Sequence, residues 1–176
     1  MSPRPIILVG MMYSGKSTVG QYLASSLERT FIDIDNEIEQ VSELSIRDWF
    51  RIRGETAFRE EEHRRLLDAV DSTPRSVIAT GGGAFEDPIS RLYCLERGWV
   101  VFLNARIETL VSRVAGANDR PLLDDSQKPP ETVLAKLIEE REENYKQAHY
   151  SVAVEGRTAK EVAEIIAEAS SKTDHC

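Results

Sequence analysis

The stretch from Gly10 to Thr18, GMMYSGKST, combines the residue types that proteins use to bind phosphate groups. It fits the pattern GxxxxGK[ST], in which backbone N–H groups surround the phosphates of a nucleotide, a lysine reaches the β and γ phosphates, and a hydroxyl binds Mg²⁺. Lys16 and Ser17 supply that lysine and that hydroxyl. The sequence therefore predicts a nucleotide site that uses Mg²⁺.

The flanks of this phosphate loop (residues 10–18) support the prediction. Residues 6–9, IILV, form an apolar run suited to a buried strand, and residues 17–28 have the composition of a helix. The alternative is a glycine-containing turn without a ligand, which the order of strand, loop and helix disfavours. The residues of the loop predicted to contact the nucleotide are Gly10, Tyr13, Ser14, Gly15, Lys16, Ser17 and Thr18.

Two aspartates, Asp33 and Asp35, follow the second predicted strand. Open α/β sheets bind ligands outside the carboxyl ends of their strands, so this pair should face the same crevice as the phosphate loop. We expect one carboxylate to support Mg²⁺ and the other, two residues on along an extended chain, to point from the same face toward a second substrate. In the alternative interpretation Asp35 only caps a helix that begins at Asn36, and Asp33 pairs with a surface lysine.

Two later segments carry arginines on predicted helices: Arg59 in GETAFRE and Arg141 in REENY. A planar guanidinium binds a carboxylate through two parallel hydrogen bonds, which a lysine cannot do. On a helix rich in charge, however, an arginine usually forms a surface ion pair, and Glu55 or Glu62 could serve as the partner of Arg59. Both interpretations of Arg59 remain open at this point.

Three consecutive glycines, Gly81, Gly82 and Gly83, come after the predicted strand at residues 76–79. Such a run costs order and is useful where a ligand must touch the backbone, although a plain tight turn is the alternative. The polar segment at residues 116–130 contains Arg120 within the sequence RPLL. We expect this segment to be a movable flap that brings Arg120 to the phosphates.

The pattern of apolar residues predicts the elements that must position these groups. Strands alternate with helices and are short and mostly apolar, which indicates a parallel sheet covered on both faces within one α/β domain. The expected strands are residues 6–10, 31–33, 76–79, 99–103 and 151–154. The expected helices are residues 16–28, segments within 36–53 and 55–70, and residues 88–97, 106–115, 130–148 and 159–171.

The composition restricts the kinds of partner. The net charge of −8 argues against a nucleic-acid surface, so a local cluster of arginines must attract any anionic ligand. Two cysteines are too few for a disulfide framework. No apolar run approaches the roughly 18 residues of a membrane span, and no secretory hydrophobic segment is visible. We therefore expect a cytoplasmic protein, acting as a monomer, that binds neither nucleic acid nor membranes.

In combination, these motifs resemble those of the shikimate kinases, which have the P-loop fold of the nucleoside-monophosphate kinases, and the resemblance runs over nearly the whole chain. It implies that Asp33 supports Mg²⁺ and that Asp35 holds the reacting hydroxyl of shikimate. It also implies that Arg59 and Arg141 bind the carboxylate of shikimate and that Gly81–Gly83 line its ring.

The resemblance further implies a P-loop kinase fold with a five-stranded parallel sheet in the order 2-3-1-4-5. One kinase domain would span residues 1–176, with a shikimate-binding subdomain at about residues 36–62 and a lid at about residues 116–125. Arg120 would be the lid arginine, and Arg113 and Arg157 would lie near the adenine.

The implied reaction transfers a phosphoryl group from ATP to the 3-hydroxyl of shikimate, a step of aromatic amino-acid biosynthesis. Lys16, Asp35 and Arg120 would be the catalytic residues. A gluconate kinase or another small-molecule kinase would share the phosphate loop and the lid, and it is the alternative within this class. A regulatory GTP-binding switch should show an NKxD-type segment, and the sequence has none. One departure concerns Tyr13, where many members of the family have glycine.

Overall fold

The computed structural model describes residues 4–114 and 128–173, which contain five strands and seven helices. The strands are β1 (Ile6–Val9), β2 (Thr30–Asp33), β3 (Ser76–Ala79), β4 (Trp99–Asn104) and β5 (Tyr150–Ala153). The helices are α1 (Lys16–Ser26), α2 (Ile34–Ser42), α3 (Ile46–Ser72), α4 (Pro88–Arg97), α5 (Ile107–Val114), α6 (Pro130–Tyr145) and α7 (Ala159–Thr173).

The strands form one parallel sheet in the order β2-β3-β1-β4-β5, so the predicted order is confirmed. All residues of the central strand β1 are buried, as expected for a strand that has helices on both faces. In the register of the sheet, Ile7 pairs with Ile78 on one side and with Val100 on the other. The carboxyl ends of β1, β2 and β3 therefore meet at one edge, where the predicted site residues follow.

The two faces of the sheet bury two separate apolar clusters. Ile6 and Leu8 of β1 belong to one cluster, together with residues of α1 and α7. The next residues along the strand, Ile7 and Val9, belong to the other cluster, which also includes residues of α2, α3 and α6. Since successive side chains of a strand point to opposite faces, the alternation in β1 separates the two clusters. The helices that carry the acidic and arginine motifs thus pack on the same face.

Local signals in the sequence set several of the helix ends. Ser45 caps α3 by accepting a hydrogen bond from the N–H of Asp48 at 3.1 Å. Within α3, Gly54 has φ 82° and ψ 166°, so the helix is interrupted at the break that the sequence predicts. Thr158 and Glu161 accept hydrogen bonds from each other's N–H groups at the start of α7, so this Thr-x-x-Glu sequence forms a capping box.

Among the described residues, none of the helices combines the length and the apolar character that a membrane span requires. The lid predicted at residues 116–125 lies outside the described residues, as does Cys176. Cys94 is fully buried in the apolar cluster beside α3.

Candidate active site

The phosphate loop connects β1 to α1, as the sequence predicts. Gly10 begins it at φ 141°, and a Cβ atom added there would come 2.7 Å from the carbonyl oxygen of Leu103. Since real Cβ atoms do not approach oxygen so closely, the chain can turn out of the sheet here only with glycine. Helix α1 begins at Lys16, and its first N–H groups face the space beside the phosphate loop.

The ammonium group of Lys16 lies inside this loop. Its side chain is only 8% exposed, and its Nζ donates hydrogen bonds to the carbonyl oxygens of Gly10 at 2.9 Å and Met11 at 2.8 Å. Both acceptors are backbone carbonyl groups, and they hold the ammonium group at the loop. An incoming phosphate would be attracted to the positive charge at this position.

Ser17 and Asp33 meet at the mouth of the loop. The Ser17 hydroxyl donates to Asp33 Oδ2 at 2.5 Å, and Asp33 Oδ1 accepts from the N–H of Asn36 at 3.2 Å. Asp33 is thus the N-cap of α2, so the alternative in which Asp35 caps this helix and Asp33 pairs with a surface lysine is wrong.

The oxygen atoms of Ser17 and Asp33 fit Mg²⁺, a hard cation that one or two protein oxygens bind together with water and substrate phosphates. Elsewhere in the described part of the chain, no cluster of three or more His, Cys, Asp or Glu side chains could hold a metal ion. The donor set therefore suits a cation that arrives with the nucleotide.

A cavity of about 300 Å³ adjoins the loop, and we refer to it as the nucleotide cavity. Arg113 and Arg157, which the family resemblance places near the adenine, both line it. Arg113 donates to the carbonyl oxygen of Tyr13 and Arg157 to that of Ala153, each at 2.8 Å. The complete lining is Tyr13, Ser14, Gly15, Thr18, Val19, Arg113, Val154, Arg157, Ala159 and Val162.

Tyr13 adopts a backbone conformation that side chains disfavour. Its φ of 64° lies in the left-handed region, which glycine adopts at no steric cost. The residue is half-buried and packs against the apolar cluster beneath the loop. A bulky residue therefore holds a loop conformation that glycine would adopt more easily.

A second cavity lies beside the loop and holds most of the other predicted residues; we refer to it as the acceptor cavity. Met12 of the phosphate loop lines it, so the two cavities share the loop as a wall. Asp35 lines it from the first turn of α2 and not from an extended segment as predicted, because the helix already begins at Ile34. The complete lining is Met12, Asp35, Ile46, Phe50, Phe58, Arg59, Glu62, Gly82, Gly83 and Arg141.

Arg59 has features of both interpretations that the sequence left open, a substrate-binding residue and an ion-pair partner. It lines the acceptor cavity, and it also pairs with Glu62 at 2.7 Å and with Glu55 at 3.4 Å. Burial alone would lower the pKa of its guanidinium, but the two carboxylates outweigh burial and raise it, so the group stays charged. The ion pair is not a surface pair, because the side chain of Glu62 is only 2% exposed.

From the sequence, Glu62 was expected only as a possible ion-pair partner of Arg59 and not as a site residue, because it ends the run Glu60-Glu61-Glu62, which is typical of a solvated helix face. Burial raises the pKa of this carboxyl to about 6; Arg59 opposes the rise and Asp35 adds to it. Its Oε1 atom has no hydrogen-bond partner among the described residues. The spacing of three residues from Arg59 was the signal that could have identified it.

Arg141 and Tyr145 of α6 approach the glycine turn from the opposite side. Arg141 is 6% exposed, and its Nη1 donates a hydrogen bond to the carbonyl oxygen of Gly82 at 3.2 Å. The same oxygen also accepts a hydrogen bond from the Tyr145 hydroxyl. A Cβ atom on Gly83 would come 2.6 Å from Cζ of Arg59, so a larger residue there would displace the guanidinium. The turn thus brings the two arginines to one cavity.

A third cavity, of about 320 Å³, lies next to the acceptor cavity, and we refer to it as the outer cavity. It shares Arg59, Glu62, Gly83 and Arg141 with the acceptor cavity. Beyond these shared residues, His63 lines the outer cavity, and its Nδ1 lies 3.0 Å from Asp87 Oδ2 and 2.6 Å from Ser90 Oγ. This cavity was not predicted from the sequence. The predicted lid arginine, Arg120, lies outside the described residues.

Comparisons with known proteins identify the family of this chain. The family model described as shikimate kinase matches residues 12–171. A shikimate kinase of Novosphingobium aromaticivorans is 46% identical over 148 residues, which cover 82% of this chain and 76% of the relative.

Two solved structures place the chain among kinases of this fold. A shikimate kinase from Acinetobacter baumannii in complex with shikimate superposes with a TM-score of 0.91 at 35% identity, over 98% of this chain and 95% of that one. A gluconokinase from Sinorhizobium meliloti reaches a TM-score of 0.58 at 19% identity, over 98% of this chain and 94% of that one, which shows a shared fold alone.

Proposed function

This chain belongs to the shikimate kinase family, and on that basis we propose that it transfers the γ-phosphoryl group of ATP to the 3-hydroxyl of shikimate. The products are shikimate 3-phosphate and ADP, and the reaction belongs to aromatic amino-acid biosynthesis. One observation on the candidate active site supports this proposal. Arg59 of α3 and Arg141 of α6 line one cavity beside the phosphate loop, together with Asp35 of α2.

The arrangement suits a small polyol with a carboxylate. Two guanidiniums bind the carboxylate, while Asp35 accepts a hydrogen bond from the reacting hydroxyl and orients it toward the nucleotide. Because Met12 of the phosphate loop lines the acceptor cavity, a hydroxyl bound in this cavity is held next to the loop. This proximity is the main contribution of a protein to phosphoryl transfer, whose chemistry needs positioning and charge neutralisation.

Lys16 neutralises the negative charge that the transferred phosphoryl group carries in the transition state. Its two bonds to carbonyl oxygens hold it at the loop before the nucleotide binds. Arg120 is the second positive charge that the family resemblance assigns to this task. Arg113 and Arg157 contact the base end of the nucleotide from the wall of its cavity.

Ser17 and Asp33 are the residues that would hold Mg²⁺, either directly or through its water molecules. The ion supplies charge neutralisation on the phosphates when it is bound. The same proposal includes a monomer in the cytoplasm with no nucleic-acid or membrane partner, which the net charge of −8 supports. Light scattering on the purified chain tests the monomer, and a dimer at micromolar concentration contradicts it.

A coupled assay of ADP release tests the function. Purified protein with ATP and Mg²⁺ is compared without an acceptor, with shikimate and with gluconate. We expect ADP release to depend on shikimate and the product to be shikimate 3-phosphate by mass spectrometry. Release that depends on gluconate identifies the alternative kinase, and release that depends on neither acceptor contradicts the proposal.

A further inference from the structure

Glu62 separates the acceptor cavity from the outer cavity and lines both of them. It is almost completely buried, which is unusual for a glutamate on a helix with many exposed acidic neighbours. The carboxylate of Glu62 is the nearest negative charge to Arg59, which is proposed to bind the substrate carboxylate. Its charge state therefore affects how well that arginine can bind an anion.

The two oxygen atoms of Glu62 have different surroundings. Oε2 accepts a hydrogen bond from Arg59 at 2.7 Å, whereas Oε1 has no hydrogen-bond partner in the described part of the chain. Oε1 lies 1.9 Å from the position of a Cβ atom built on Gly81, and Asp35 Oδ1 lies 2.8 Å from the same position. Oε2 thus contacts Arg59, and Oε1 faces the carboxylate of Asp35 across the glycine turn.

The charges around Glu62 come from three helices. Asp35 faces it from α2, Arg59 from its own helix α3, and Arg141 and the Tyr145 hydroxyl from α6. Glu55 binds the same guanidinium as Glu62 does. Among the described residues, these charged groups are two guanidiniums and three carboxylates, and the substrate adds a fourth carboxylate.

Like charges close together in a buried site favour the protonated form of one of them. Burial and the nearby Asp35 already raise the pKa of Glu62 to about 6, against the opposing effect of Arg59. A bound substrate carboxylate acts in the same direction as Asp35. Proton occupancy of Glu62 must then rise on binding in the range around neutral pH.

The geometry points to Glu62 as a proton-linked positioning residue: shikimate binds together with a proton on Glu62, and the neutral acid leaves Arg59 available to the substrate carboxylate. This inference rests on the proposed function. The proton reaches Glu62 from solvent through the outer cavity, so it does not cross the occupied acceptor cavity. Affinity for shikimate consequently weakens as pH rises, because the ionised Glu62 and the substrate compete for one guanidinium.

Calorimetry on the unmodified protein tests the proton uptake directly. Shikimate is titrated without nucleotide at pH 7 in buffers of different ionisation enthalpy, and the slope of heat against ionisation enthalpy gives the protons taken up. We expect a clear fractional uptake that decreases at pH 9. Normal affinity with no uptake at pH 7 overturns the inference alone, whereas no binding in any buffer contradicts the proposed function.

Glu62→Gln tests which residue carries the linkage, because the amide keeps the shape and cannot ionise. Between pH 6 and 8 we expect the affinity of the parent protein for shikimate to fall by up to about tenfold per pH unit, and that of Glu62→Gln to stay nearly constant. The parent slope in a folded Glu62→Gln protein overturns the inference.

His63→Gln is the matched control, because histidine ordinarily changes charge near neutral pH and His63 also lines the outer cavity. The control should keep the pH slope and the proton uptake of the parent. Loss of both in His63→Gln assigns the linkage to the histidine and overturns the role of Glu62. This comparison also decides the question if Glu62→Gln does not fold.

Discussion

The two halves of the active site are built in different ways. The phosphate loop is one continuous segment, and its lysine is held by the neutral carbonyl groups of Gly10 and Met11. The acceptor cavity takes side chains from three helices, and its arginine Arg59 is held by the charged carboxylates of Glu55 and Glu62. Backbone carbonyl groups thus contact one positive charge, and carboxylates contact the other.

This difference affects how each half responds to its ligand. A phosphate that reaches Lys16 can replace the two backbone carbonyl acceptors, and it gains the attraction between opposite charges. A carboxylate that reaches Arg59 enters a site that already holds carboxylates, so its binding depends on geometry and on the competing acids. We therefore expect substitutions in the loop to affect the rate, and substitutions in the acceptor cavity to affect substrate affinity and pH dependence.

Replacing Lys16 should have the largest effect. We expect Lys16→Ala to reduce kcat by on the order of 10²-fold or more, because it removes charge stabilisation in the transition state. Calorimetry should show nearly unchanged affinity for shikimate. Lys146→Ala, which removes an exposed lysine paired with Glu142 and Glu143, is the control and should retain kcat. A comparable loss of shikimate affinity in Lys16→Ala would remove the distinction between the two halves.

The second prediction concerns the fork geometry of Arg59. Arg59→Lys should lose about 2–4 kcal/mol of shikimate binding, because the ammonium keeps the charge but cannot make two parallel hydrogen bonds. Arg64→Lys is the matched control on the same helix, since Arg64 is half-exposed and pairs only with Glu61 and Asp68 among the described residues. Shikimate affinity within about 1 kcal/mol of the parent in Arg59→Lys indicates that Arg59 acts only as a structural ion pair.

Glu62 should make stability depend on pH. Its folded pKa of about 6 lies above the ordinary value of 4.5, so the folded state binds the proton more tightly and loses stability as pH rises through that interval. Relative to the parent, Glu62→Gln should gain up to about 2 kcal/mol of unfolding free energy between pH 4.5 and pH 7. Urea unfolding at both pH values measures this change. A difference that does not vary with pH shows that Glu62 has an ordinary pKa.

The smallest expected effect concerns the backbone of the loop. At φ 64° a Cβ atom is disfavoured, so Tyr13→Gly should be more stable than Tyr13→Ala by about 1 kcal/mol. Both variants lose the ring, which cancels the packing contribution from the comparison. Thermal unfolding of the two variants measures the difference. Equal stabilities mean that residue 13 does not adopt the left-handed conformation.

Local signals explain why the loop and the fold could be predicted from the sequence. The phosphate loop, the break at Gly54 and the capping box at Thr158 each depend on residues within one short segment. The strand order 2-3-1-4-5 followed from the family resemblance and is confirmed. Short-range chemistry and one familiar combination of motifs were sufficient for these features.

The acceptor cavity could be predicted only in part, because its properties depend on packing. Asp35 was expected on an extended segment, but Asp33 starts the helix two residues earlier than the sequence suggested. Glu62 resembles a solvated residue until α2, α3 and α6 come together around it. Burial is a property of the assembled fold, and the charge state of Glu62 depends on that burial.

In the proposed function, Arg59 and Arg141 select the substrate by its carboxylate. Calorimetry on the parent protein and on Arg141→Ala, each with shikimate and with its uncharged carboxamide, tests this claim most directly. We predict that the carboxamide binds the parent more weakly than shikimate does by about 2–4 kcal/mol. Most of this difference should disappear in Arg141→Ala, because the contact between Arg141 and the carboxylate is already lost there. An equal penalty in the two proteins would contradict the carboxylate clamp.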